Sequence, residues 1–113
     1  MNTNIEQVVL KNILTNEKYM RKVLPFVKPD YFEGTYKILF KEAGKFVGKY
    51  NKLPTAEAFK IEIDNADSFN EEQYRHAVEI IPNLFEEEKA DETWLYDSTE
   101  KWCQDRALYN LSL

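Results

Sequence analysis

Between Gly34 and Asn51 the apolar side chains Tyr36, Leu39, Phe40, Ala43, Phe46, Val47 and Tyr50 recur at intervals of three and four. A helix with about 3.6 residues per turn gathers that spacing onto one face, which must then be buried against other elements. Shorter segments repeat the theme. Thr3 and Glu6 form a Ser/Thr-x-x-Glu capping box before Ile5, Val8, Val9 and Ile13, so Thr3 is the expected N-cap of a first helix running to about Leu14. Thr15 or Asn16 caps a second short helix that turns Tyr19, Met20, Val23 and Leu24 inward and ends at Pro25, which has no N–H for the ladder. Lys28-Pro29-Asp30 is a turn into Tyr31-Phe32, two aromatic anchors in a single helical turn.

After the loop and cap Leu53-Pro54-Thr55 the pattern has two solutions. Ala56, Phe59 and Ile63 fit a helix, whereas Phe59, Ile61 and Ile63 alternate as in a strand. Ser68-x-x-Glu71 and Asn70-x-x-Gln73 each place a capping pair before Tyr74, Ala77, Val78 and Ile81, and Pro82 should end or kink that helix. Glu86 to Glu92 is an acidic link that suits the positive start of a following helix. From about Glu92, Leu95, Thr99, Trp102, Arg106, Tyr109 and Leu113 alternate at four and three, the rhythm of a helix-packing seam. That seam meets no stop signal, so the expectation is an N-terminal domain excised from a longer protein. The fold expected over 1–113 is a single all-α domain, a compact bundle of about six helices around Val9, Ile13, Leu39, Ala43, Phe46, Val47, Val78 and Trp102.

Composition agrees: 43% hydrophobic and 14% aromatic residues supply a core, and 31% charged residues solvate its surface. No apolar run exceeds three residues, against the ~20 of a membrane-spanning helix, and no signal sequence is recognisable. The lone Cys103 has no intrachain disulfide partner, and with His76 it falls short of the about four ligands of a structural zinc site. A cytosolic, metal-free domain is expected.

The net charge of -5 conceals a polarity. Residues 1–60 carry 11 basic and 6 acidic side chains, residues 61–113 carry 4 and 14, so a basic and an acidic pole are expected. Lys37, Lys41, Lys45 and Lys49 follow one another at intervals of four on the long helix, with Lys52 behind them. This stripe is a candidate partner-binding surface, its alternative being a solvated helix face. Trp102, Tyr109 and Leu113 are the candidate self-association seam, although Trp102 also suits the core.

Catalytic machinery is not recognisable. His76 stands beside Arg75, off the apolar face of its helix, and Cys103 beside Trp102 reads as a small packing residue. Gly44-Lys-Phe-Val-Gly48-Lys49-Tyr50 is a poor phosphate loop: three residues separate the glycines instead of four, no Ser/Thr follows the lysine, and the string lies within a helix. The two glycines allow either close approach of another helix or a tolerated surface cost.

In order along the chain, Val9-Leu10-Lys11-Asn12-Ile13-Leu14, Tyr19-x-x-x-Val23-x-Pro25, Tyr31-Phe32, Leu53-Pro54-Thr55, Trp94-Leu95, Thr99-Glu100-Lys101-Trp102 and Gln104-x-Arg106-Ala107 resemble the N-terminal domain of DnaB-type replicative DNA helicases, in the version found in T-even-type phages. The resemblance implies a non-catalytic helical domain on the primase side of a hexameric ring, acting in the cytoplasm of the bacterial host. It implies self-association, primase or helicase loader as partner, and at most transient contact with single-stranded DNA. No cofactor is expected in this domain; ATP and Mg belong to the family's downstream motor, and no catalytic residue carries over. A freestanding helical adaptor or regulator is the alternative, and a G-x-x-x-x-G-K-[ST] downstream in the same reading frame separates the two.

Overall fold

Asn4 opens the first helix, α1 (Ile5–Thr15), its side chain accepting the Gln7 N–H at 2.8 Å. A computed structural model describes residues 4–113, so the Thr3 cap expected from the sequence lies outside the described residues. Asn16 serves two helices. Its N–H closes α1 on the Asn12 carbonyl at 2.9 Å, and its Oδ1 caps α2 (Glu17–Val23) by accepting from Tyr19 N at 3.1 Å. Pro25 follows the end of α2, and the chain turns with Phe26 and Val27 N–H groups on the Val23 carbonyl at 2.9 and 3.1 Å.

The short 3-10 turn Pro29–Tyr31 delivers Tyr31 and Phe32 into the core as the sequence implied. Phe32 stacks on Phe40 at 4.8 Å and meets Trp102 edge-on at 4.9 Å. The long helix α3 (Gly34–Tyr50) begins at a glycine with φ +56° and ends at Asn51, whose φ of 54° makes it a left-handed C-cap. Arg21 fixes that cap from α2, donating to Asn51 Oδ1 and to its carbonyl, both at 2.8 Å.

The ambiguous segment is helical: α4 (Ala56–Asn65) is capped by Thr55 and buries Phe59 and Ile63, leaving Ile61 on the exposed side. Of the two possible caps before α5 (Glu71–Leu84), Asn70 is used, in a reciprocal capping box with Gln73. Ser68 instead donates to Glu42 of α3 at 3.2 Å. One expectation about α5 needs correction. Its buried face is Ala77, Ile80, Ile81 and Leu84, a three-four repeat that leaves Val78 exposed, because Val78 lies about 100° round the helix from Ala77. Pro82 does not stop the helix at its own position; the helix runs two residues further to Leu84 and ends within that turn, with the missing donor on an exposed stretch. The closing helix α6 (Glu92–Leu111) starts at the cap Asp91 and buries Leu95, Thr99 and Trp102.

Six α-helices and one 3-10 turn result, with no strand among the described residues, so the all-α expectation holds. α1 packs against α2, α3, α5 and α6, and α3 packs against α1, α4, α5 and the 3-10 turn, so these two helices share the centre. Val9, Leu10, Ile13, Leu39 and Ala43 are completely buried. Phe46 corrects the expected core list. It is only half-buried, because it lines a hollow left between α3 and α4, where it lies against exposed Tyr50 at 4.7 Å.

Candidate partner-binding surfaces

The stripe on α3 is real as a surface but uneven in charge. Lys41, Lys45, Lys49 and Lys52 are exposed and Lys37 is half-buried. Lys37 Nζ lies 3.0 Å from Asp30, and with Lys41 it holds that carboxylate below its ordinary range. Lys45 lies 3.1 Å from Glu42, whose carboxylate is buried and also receives Ser68. Lys41, Lys49 and Lys52 make no ion pair among the described residues. Lys49 instead lies over the Tyr50 ring, 5.2 Å from its centroid. The open positive charge therefore concentrates toward the C-terminal end of α3.

Gly44 and Gly48 line the same helix, and a Cβ built at either meets nothing within 4 Å. Of the two roles left open by their spacing, close approach of a helix within this domain is ruled out.

The seam proposed on α6 divides in two. Trp102 is 7% exposed and clamped between Tyr31 and Phe32, so it belongs to the core and is withdrawn from a surface role. Past Arg106 one side of the helix stays on the domain, with Ala107 against the core and Asn110 donating to the Asp30 carbonyl at 3.1 Å, while Leu108, Tyr109, Leu111 and Leu113 are at least half exposed. Tyr109 lies under the Arg106 guanidinium at 4.7 Å. Leu108 and Leu111 fall outside the four-three rhythm of the seam, and they are a surface because they lie on the side of α6 turned away from Ala107 and Asn110. Phe26, 71% exposed beside Pro25, was likewise invisible to periodicity.

Neither candidate for reactivity is set up for chemistry. Burial raises the Cys103 thiol above its ordinary value, the opposite of an activated nucleophile. His76 is exposed as expected, but its Nδ1 is engaged with Thr35 Oγ1 at 3.0 Å. Among the described residues no three His, Cys, Asp or Glu side chains are grouped to hold a metal ion, and no helix is long and apolar enough to cross a membrane. The acidic pole is built by Glu86, Glu87, Glu88 and Glu92 along a hollow beside α1. Glu88 and Glu92 pair with Lys11 and Lys18 at 3.4 and 3.1 Å.

No protein-family model matches the chain. Over 105 residues, 92% of its length, it is 31% identical to the DnaB-like replicative helicase of Enterobacteria phage T4. The chain spans 22% of that relative. The order of motifs, the all-helical fold and this identity agree: the chain is similar, along nearly its whole length, to a domain-sized part of a DnaB-like replicative helicase.

Proposed function

We propose that this chain is the non-catalytic N-terminal domain of a phage replicative DNA helicase, assembling the ring through self-association and docking primase or a helicase loader. The observation that carries this is the 31% identity over 92% of the chain to a helicase of which it spans 22%. Two surfaces support the division of labour: the exposed apolar end of α6 for contact between copies, and the lysine stripe of α3 for a charged partner. ATP and Mg belong, in this proposal, to a separate motor, and single-stranded DNA is met transiently.

The first test is the reading frame beyond Leu113, where a G-x-x-x-x-G-K-[ST] is expected and a stop codon would favour a freestanding adaptor. The second is sedimentation over a wide concentration range. Concentration-dependent assembly is expected, weakened by Tyr109→Asp with Leu111→Asp, and a strict monomer overturns the assembly role. Replacing Lys41, Lys45 and Lys49 by Glu should weaken binding to primase or loader, and raising salt should do the same.

A further inference from the structure

The end of the lysine stripe runs into an apolar hollow. Phe46 and Tyr50 from α3, Leu53 from the connecting loop, and Ala58 and Ile61 from α4 line a cavity of 490 Å³ open to solvent. Tyr50 is 45% exposed and Ile61 is 52% exposed, so large apolar side chains from two helices face water side by side. Lys52 lines the same hollow, Lys49 covers the Tyr50 ring, and Glu62 is the one acidic residue of the lining. Lys45 and Lys41 lead away from it up α3 at intervals of one turn, about 6 Å.

Resting on the docking role proposed above, we infer that this hollow and its lysines form a composite site for an acidic protein segment carrying apolar anchors. The lysines attract and orient the segment's carboxylates while the hollow takes its Leu, Ile or Phe side chains. A wholly electrostatic contact needs only the lysines and leaves Tyr50 and Ile61 without purpose. Single-stranded nucleic acid fits less well. Base stacking needs a free aromatic face, and here Tyr50 is already flanked by Phe46 at 4.7 Å and by the Lys49 ammonium. The aliphatic wall of Leu53 and Ile61 presents no ring to a base.

The test is fluorescence anisotropy on the 113-residue chain with three labelled probes of matched length. One is a Glu/Asp-rich peptide of about twelve residues with Leu or Phe at helical three-four spacing, roughly three turns long. The others are polyglutamate and a dT oligonucleotide. The amphipathic acidic peptide should bind at least about tenfold more tightly than either. Ile61→Asp and Tyr50→Ser, both at exposed positions, should remove that advantage while far-UV circular dichroism stays unchanged. Lys49→Glu with Lys52→Glu should weaken both peptides, whereas Lys89→Glu with Lys101→Glu, equal in net charge, should not.

Equal affinity for polyglutamate and the amphipathic peptide overturns the inference, as does tighter binding of dT. If charge reversal weakens the peptide but Ile61→Asp does not, the composite site falls and an electrostatic docking stripe stands. If neither matters, both fall.

Discussion

Replacing Gly44 and Gly48 by alanine should stabilise the domain. Both lie inside α3, where a glycine costs about 1 kcal/mol relative to alanine because it has more backbone freedom to lose on folding. Usually that gain is uncertain, since the added methyl can collide with a neighbour. Here nothing lies within 4 Å of either Cβ position, so no steric cost is subtracted. The pair should therefore gain about 2 kcal/mol. For 113 residues, an unfolding entropy of about 2.1 cal/mol/K per residue amounts to roughly 0.24 kcal/mol/K, and the melting temperature should rise by about 8 °C for the pair. Thermal melts by circular dichroism and urea titrations measure it, with the urea midpoint rising and the slope constant. Gly34→Ala is the built-in control, because at φ +56° an L side chain is strained and about 1–2 kcal/mol should be lost. If all three substitutions move stability the same way, or the α3 pair lowers it, the reasoning is wrong.

Thr99→Val removes the 2.6 Å partner of the buried Tyr19 hydroxyl and should cost about 1–3 kcal/mol by urea titration, more than Tyr19→Phe, which leaves Thr99 bonded to the Leu95 carbonyl. Trp102→Ala should cost about 3–5 kcal/mol and show as a lower urea midpoint, where a surface tryptophan would leave it almost unmoved. Lys37 holds Asp30 below its ordinary value, and Lys60 with Tyr74 does the same for Asp64, so both contributions are present above pH 3.8 and fade as the pH falls below it. Asp30→Asn with Asp64→Asn should flatten that acid decline, and high salt should mimic the double variant. Burial acts in the opposite sense on Glu6, raising its carboxyl, so ionising it above its ordinary 4.5 costs stability, and Glu6→Gln should remove that component in the same titrations. Cys103, half-buried with its thiol raised, should react with iodoacetamide at least about tenfold more slowly than a free thiol at neutral pH.

The long helix was legible because Leu39, Ala43 and Val47 repeat on one face and no competing pattern overlaps them. Capping was legible in chemistry but not in choice. Ser68 and Asn70 are equally good signals in the sequence, and the decision came from Glu42, which takes the Ser68 hydroxyl from 26 residues away. The same limit explains α5: Val78 and Ile80 are similar in character, and which one is buried depends on the rotation of the helix against α1, α3 and α4. Among the candidate surfaces, the lysine stripe could be read directly from its spacing of four. The apolar hollow at its end could not, because Tyr50 and Ile61 belong to different helices and meet only through the turn at Asn51–Leu53. Trp102 was placed on the right face of the right helix, yet burial by Tyr31 and Phe32, some 70 residues earlier, decides its role.

That long reach sets a timetable for synthesis. Tyr19, Tyr31 and Phe32 leave the ribosome early, but Thr99, 80 residues after Tyr19, and Trp102, which cover them, emerge much later. At about 5–20 residues per second the intervening stretch takes several seconds, far longer than a helix needs to form. A nascent chain halted short of Leu95 therefore holds formed helices around an open aromatic wall, and α6 is the lid that closes it.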